Sequence, residues 1–376
     1  MFNRDSYGRI TSTNNFIPEI DALRFIAIFP VVCMHALSLA NRFSGYNQPS
    51  SEFDFIYSVF RFGQNGVFLF FAISGFILSI PFIKSNLNDE SMPNLKNYYL
   101  RRITRLEPPF IIYMVSIYLC MLLLKYFTSF SLPINLELND SLAHFIAGLT
   151  YTHFLVFGNW DPINPVTWSL EVEIQFYLLM PFLMGFLLKR GRVFCYIFIF
   201  LLIFLFPIVN DIYRLQLVSF HLNKSLITYG GFFMAGVVLA FFYYDIRNFF
   251  KGKSYIFDLL FIISIFLTFN FESYWLVIFG IFGLFISVFK SKLVNKLITL
   301  DFFTIIGGMC YTIYLLHFPI LVGLAKILKR VLLFSPYLYL IISCIIVLVL
   351  SSILFIWFER PFMKVNWIKK YFPKYI

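Results

Sequence analysis

The stretch IDALRFIAIFPVVCMHALSLA, residues 20–40, decides how the chain is read. A membrane span needs about 20 predominantly apolar residues, and this stretch supplies them. Yet Asp21 and Arg24 stand near one end and His35 lies well inside. An ionisable side chain at depth in hydrocarbon is costly, so it marks a pairing partner or a functional site.

Composition extends the same reading to the whole chain. Across 376 residues, 60% are hydrophobic, 21% aromatic and only 13% charged, with a mean hydropathy of +0.80, which excludes an ordinary soluble domain. Phe alone accounts for 52 residues, many in runs such as FLFFAISGF and CYIFIFLLIFLF that suit lipid-facing helices. The net charge of +11 does not point to nucleic acid, because Lys and Arg lie in short clusters between apolar segments, where they set orientation among membrane lipids. The first apolar stretch follows a polar lead of 19 residues, exceeds a signal-peptide core and lacks a small-residue cleavage site, so a retained first helix is expected. Cys33, Cys120, Cys195, Cys310 and Cys344 sit in apolar stretches without paired spacing. Neither a disulfide framework nor a metal site is expected from them.

Apolar segments of spanning length fall at 20–40, 62–83, 108–127, 168–188, 193–209, 226–243, 255–269, 274–289, 303–328 and 337–358. The segment 142–157 is shorter and contains His144 and His153, which suits a re-entrant or interfacial piece. The expected fold is therefore an all-α integral membrane protein with about ten transmembrane helices and one such segment. A tail at 1–19 precedes a membrane domain at 20–361, and a basic tail follows at 362–376. With both termini cytoplasmic, the basic clusters at 84–105, 189–192, 247–253 and 290–296 and after 360 all face the cytoplasm, as the distribution of Lys and Arg about membrane spans demands. An eleventh span would place the KRGR cluster and the C-terminal cluster outside.

Helical geometry organises the ionisable residues. Arg24 and His35 are 11 residues apart, a rotation within about 20° of the same direction and a rise of roughly 16 Å, so they share a face. Asp21, three residues before Arg24, is placed to pair with it. In GQNGVFLFFAISGF, residues 63–76, Gln64, Asn65 and Ser74 interrupt an apolar span, and Gly66 and Gly75 permit close backbone approach. Taken alone, Ser74 reads as helix-packing glue. Arg101, Arg102 and Arg105 gather just before Pro108, where a third helix is expected to open, and offer a fork-shaped cationic site suited to phosphate. A cytoplasmic Arg cluster is also what orientation alone demands. Glu171 and Glu173 point some 200° apart on a helix, one toward the interior and the other toward solvent, while Trp168 and Tyr177 fit an aromatic belt. His317 falls at a depth similar to that of His35.

Together these pieces resemble the acyltransferase 3 family, membrane O-acyltransferases that modify bacterial surface sugars. The family's Arg, ten residues, His pattern matches Arg24 and His35, and its Ser-Gly-Phe matches Ser74, Gly75 and Phe76. Its Arg-x-x-Arg matches Arg102 and Arg105, and its Trp-Ser-Leu with a following Glu and Phe-Tyr matches Trp168, Ser169, Leu170, Glu173, Phe176 and Tyr177. A late Tyr-x-x-Tyr-Leu-x-His matches Tyr311, Tyr314, Leu315 and His317. Phe68 and Cys310 depart from the pattern, and the fused extracytoplasmic hydrolase-like domain of some members is not expected here.

The resemblance implies transfer of an acyl group, acetyl by default, from cytosolic acyl-CoA to a hydroxyl of a surface glycan or lipid-linked sugar. No permanently bound cofactor is implied; acetyl-CoA or another acyl-CoA is the donor substrate. In that scheme His35 is the general base, Arg24 orients the donor and Asp21 holds Arg24. Arg101, Arg102 and Arg105 grip the phosphates, and Ser74, Glu173, Trp168 and His317 line substrate. A polytopic transporter or flippase for a glycan or lipid is the alternative that ten helices with internal charges leave open.

Overall fold

The computed structural model describes residues 8, 10, 16–44, 51–127, 138–212, 220–249, 252–328, 331, 335–363 and 367. The tails expected at 1–19 and 362–376 lie largely outside these residues. Among the described residues the chain is helical, with no β-strand. In order, the helices are α1 (Pro18–Ser44), α2 (Ser51–Phe60), α3 (Asn65–Leu87), α4 (Leu95–Phe127), α5 (Leu138–Leu149), α6 (His153–Phe157), α7 (Trp168–Leu187) and α8 (Arg192–Ile212). There follow α9 (Leu226–Phe249), α10 (Ile256–Phe269), α11 (Tyr274–Lys290), α12 (Leu293–Ile298), α13 (Asp301–Gly308), α14 (Cys310–Ile327) and α15 (Pro336–Leu354).

Eight helical stretches among the described residues are long and apolar enough to cross a membrane. The shorter apolar helices α10, of 14 residues, and α11, of 17, occupy the places of the seventh and eighth expected segments. At 1.5 Å per residue they reach only about 21 and 26 Å, less than the roughly 30 Å of hydrocarbon they would have to span upright. Lipid-facing stripes are visible where the sequence is most apolar: on α8, Ile197, Leu201, Phe204, Leu205 and Ile208 are exposed at helical spacing, while Cys195, Ile199 and Ile203 are buried.

Three expected boundaries differ, each for a local reason. The helix expected to open at Pro108 instead begins at Leu95 and carries Pro108 and Pro109 inside it. The prolines remove two backbone donors, but Tyr98 and Tyr99 anchor the preceding turns by hydroxyl bonds to the Tyr177 carbonyl (3.3 Å) and the Leu178 carbonyl (2.9 Å) of α7. The Tyr177 carbonyl is available because Pro181, four residues on, has no N–H to give it. The single helix expected over 303–328 is divided at Met309 into α13 and α14. Finally, 142–157 is two short helices joined through Tyr151, which adopts a left-handed φ of 56°. Its ring stacks on Phe110 at 4.6 Å and its hydroxyl donates to Glu107 at 3.2 Å, contacts that hold this unfavourable conformation in place.

The chain divides into two compact units, Met1–Ile73 with Phe242–Ile376, and Ser74–Phe241. In the first, α13, α14 and α15 all pack on α1. Asn65 donates to the Thr268 and Phe271 carbonyls, both at 2.8 Å, satisfying acceptors orphaned at the end of α10, so this intramembrane amide is a clamp. Gly66 lies against the Ala27 carbonyl and, in the second unit, Gly75 lies against that of Phe233, the close approaches anticipated from sequence.

Gly307 makes a tighter approach, since a Cβ added to it would overlap the backbone carbonyl oxygen of Asp21. A Cβ there has no flexible side chain to displace, so Gly307→Ala is expected to push α13 off α1 at a cost of about 1–3 kcal/mol. Gly323→Ala is the control: among the described residues nothing lies within 4 Å of its would-be Cβ. Thermal unfolding in detergent should show a lower Tm for the first variant alone. Equal midpoints would mean that the α1–α13 contact yields without cost.

Candidate functional site

In the first unit, α1 presents Asp21, Arg24 and His35. Asp21 is buried and accepts from Arg24 one turn on, pairing the guanidinium as the spacing anticipated. Asp21 also sits in the first turn of α1, where the helix dipole favours a carboxylate.

His35 meets His317 of α14, with ring centroids 5.3 Å apart and planes inclined at 46°. Phe318 closes an edge of the His35 ring at 5.4 Å. His317 is fully buried, and its Nδ1 faces two backbone carbonyls, Tyr314 at 2.7 Å and Ile313 at 3.1 Å. Carbonyl oxygens only accept, so Nδ1 carries the proton and Nε2 is a bare lone pair. That Nε2 has no hydrogen-bond partner among the described residues.

Residues that the sequence reading passed over set the position of α14. Glu359 is buried, and its carboxylate receives both the backbone N–H (3.1 Å) and the hydroxyl (2.5 Å) of Thr312 in the first turn of α14. This occupies a helix N-terminal donor that would otherwise be orphaned. The only available signal was a carboxylate directly following an apolar run at 337–358. Nothing in the spacing joined it to Thr312, 47 residues earlier.

In the second unit, Ser74 of α3 donates to Glu173 of α7, and the same oxygen, Oε1, receives the Tyr177 hydroxyl at 2.5 Å from one turn on. The Arg102 guanidinium lies 5.7 Å from the Tyr177 ring and 5.9 Å from the Tyr98 ring, within cation–π range. Ser74, Glu173, Tyr177 and Arg102 thus form one polar chain. Arg101 is exposed and stays outside it, and Arg105 is half-buried.

Of the two carboxylates expected to face different ways, Glu171 is buried and Glu173 is half-buried. The Glu171 carboxylate accepts the backbone N–H of Phe154 at 3.0 Å, tying α6 to α7. The 200° separation is real, but the side opposite Glu173 is covered by the segment at 153–157. Trp168 belongs to a different group, with Lys224 Nζ 4.2 Å from its ring, 5.0 Å from Trp160 and 5.1 Å from Tyr229, whose hydroxyl it meets at 2.6 Å.

Next to this group, His144 Nδ1 and His153 Nε2 share a hydrogen bond of 2.7 Å. Burial, with His144 adjacent, pulls His153 down to about 4. Asp161 accepts from the Ile163 backbone at 2.8 Å, and burial pushes its carboxyl up to about 6. The folded state therefore binds this proton more tightly than the unfolded chain does. Stability from this group is complete in acid, below the unfolded value of 3.8, and is lost as pH rises through about 6. Asp161→Asn should flatten the decline of Tm between about pH 4 and pH 7, a difference of up to about 3 kcal/mol. An unchanged slope would mean that Asp161 ionises without cost.

Spanning helices that carry a histidine pair in one unit and a carboxylate–serine chain in the other define a multi-pass membrane protein with polar groups among its apolar helices. The chain belongs to the acyltransferase 3 family: the profile described as an acyltransferase domain matches residues 17–356. A Staphylococcus aureus (strain COL) protein provisionally named an O-acetyltransferase is 27% identical over 409 aligned positions, covering 96% of this chain and 60% of that protein. A Listeria monocytogenes protein named peptidoglycan O-acetyltransferase is 26% identical over 185 positions, 46% of this chain and 25% of that one. An uncharacterized Haemophilus influenzae protein is 34% identical over 140 positions, 37% of this chain and 56% of that one. The chain thus spans about 60% of the length of the staphylococcal relatives it matches. No solved structure matches it.

Proposed function

We propose that this chain is a membrane O-acetyltransferase that moves an acetyl group from a cytosolic acyl-CoA to a hydroxyl of a surface glycan or lipid-linked sugar. The observation that carries the reading is the His35–His317 pair: two contacting imidazoles inside apolar helices, one with its donor nitrogen already committed. Neutral histidine is the side chain suited to take a proton from an attacking hydroxyl near neutral pH. Family membership and the names of the relatives support a transferase over a transporter.

In this scheme the hydroxyl oxygen of the acceptor attacks the thioester carbonyl as His35 takes its proton. The carbon–sulfur bond breaks, and the proton passes from His35 to the leaving thiolate. Arg24, held by Asp21, orients donor charge on the face of α1 that carries His35. Arg101, Arg102 and Arg105 hold the phosphates of coenzyme A, and Glu173 and Trp168 contact the sugar. Both termini lie in the cytoplasm, and the membrane is the bacterial inner membrane.

The reading is tested by mass spectrometry of surface polysaccharide from cells with and without the gene, where acetyl esters should disappear on deletion. The donor assignment has its own test. Replacing Arg102 and Arg105 together by Lys preserves charge and orientation but removes the bidentate fork, so acetyl-CoA affinity should fall about tenfold or more. Full coenzyme A binding by the double Lys variant would reduce the cluster to an orientation signal.

A further inference from the structure

We propose that His317 is a positioning residue for His35: its bare Nε2 accepts one ring N–H of His35, leaving the other His35 nitrogen as the lone pair that takes the proton of the acceptor. The inference rests on the reading of His35 as the base and adds the group that fixes its tautomer.

The argument starts from an imbalance. His317 is fully buried with Nδ1–H given to the Tyr314 carbonyl, and its Nε2 lone pair is unmatched. A buried acceptor without a donor costs free energy comparable to a lost hydrogen bond, so a donor that can reach it is favoured. Two polar rings adjoin His317, Tyr314 one turn earlier on the same helix at 5.6 Å and His35 of α1 at 5.3 Å, and among the described residues His35 makes no hydrogen bond of its own. No hydrogen bond fixes the orientation of the half-buried His35 ring, whereas His317 is held by its carbonyl partner. The backbone enforces this arrangement, because Thr312 in the same helix is clamped twice by Glu359.

A neutral partner suits this location. A carboxylate behind the base would need a second buried charge in hydrocarbon, whereas imidazole offers an acceptor without one. During transfer, His35 becomes an imidazolium with both nitrogens protonated. One N–H is held by His317 Nε2, and the other returns its proton to the departing thiolate. His317 ends as it began, neutral with its proton on Nδ1.

The experiment is carbethoxylation by diethyl pyrocarbonate, which attacks the lone pair of a neutral imidazole, followed by peptide mass spectrometry. It is applied to the purified full chain in nanodiscs without substrate, so it does not depend on the identity of donor or acceptor. His317→Ala should slow modification of His35 about tenfold, the scale on which groups orienting a histidine act. His317→Gln, whose side-chain oxygen also accepts, should restore most of the rate. Three results would overturn the proposal: equal rates in all three proteins, equal losses in both variants, or no reaction of His35 in the unmodified chain. The reading of His35 as base is judged separately by acetyl-ester formation in cells. An inactive His35→Ala with a fully active His317→Ala would remove the positioning role and leave the base in place.

Discussion

His35→Ala is expected to abolish acetyl transfer while the protein still inserts, folds and binds coenzyme A. Proton abstraction belongs to the chemical step alone, and its removal is typically worth a factor of about 10² to 10⁴. A histidine that merely joined helices would behave otherwise. Its loss would act through stability, by about 1 kcal/mol for an interhelical hydrogen bond, and Asn or Gln would recover the function. Here an amide at position 35 can still donate to His317 Nε2 in place of the ring N–H, but it has no basic nitrogen to take the proton of the acceptor, so hydrogen bonding and catalysis separate. The measurement is acetyl-ester content of surface glycan in cells carrying Ala, Asn or Gln at position 35, normalised to folded protein in the membrane. Substantial acetylation by any of the three would end the catalytic assignment.

The fold was legible in sequence wherever it depends on hydropathy. Spans and the close-approach glycines at 66 and 75 follow from apolar length and small residues, which act locally. The pairing of Asp21 with Arg24 and the shared depth of His35 and His317 were also readable, because helical periodicity fixes direction and rise. What escaped was decided by tertiary partners. Pro108 looked like a helix start because proline removes a donor, but Tyr98 and Tyr99 hold the earlier turns to α7. Met309 looked like mid-helix because nothing local announces the packing of Gly307 on Asp21 or the capture of Thr312 by Glu359. Which of Glu171 and Glu173 turns inward was not readable, because a single helix cannot show what covers either side.

This last difference gives the two neighbouring carboxylates opposite experimental signatures. Glu173 gathers the Ser74 and Tyr177 hydroxyls on one oxygen, and through Tyr177 it is linked to the Arg102 cation. Glu173→Gln keeps the size and an acceptor oxygen but removes the charge. If Glu173 orients the sugar, transfer should fall about 10- to 100-fold, the worth of one hydrogen bond to a charged group, with little change in folded protein. Glu171 instead holds the Phe154 backbone N–H in a buried pocket, so Glu171→Gln should cost about 1–3 kcal/mol of stability through a weakened buried hydrogen bond. Transfer per folded molecule should then stay at the level of the unmodified chain. The comparison pairs acetyl-ester content in cells with thermal unfolding of each purified variant. Equal activity per folded molecule in the two variants would remove Glu173 from the acceptor site. A loss confined to Glu171→Gln would move that site toward α6, where the carboxylate of Glu171 meets the chain at Phe154.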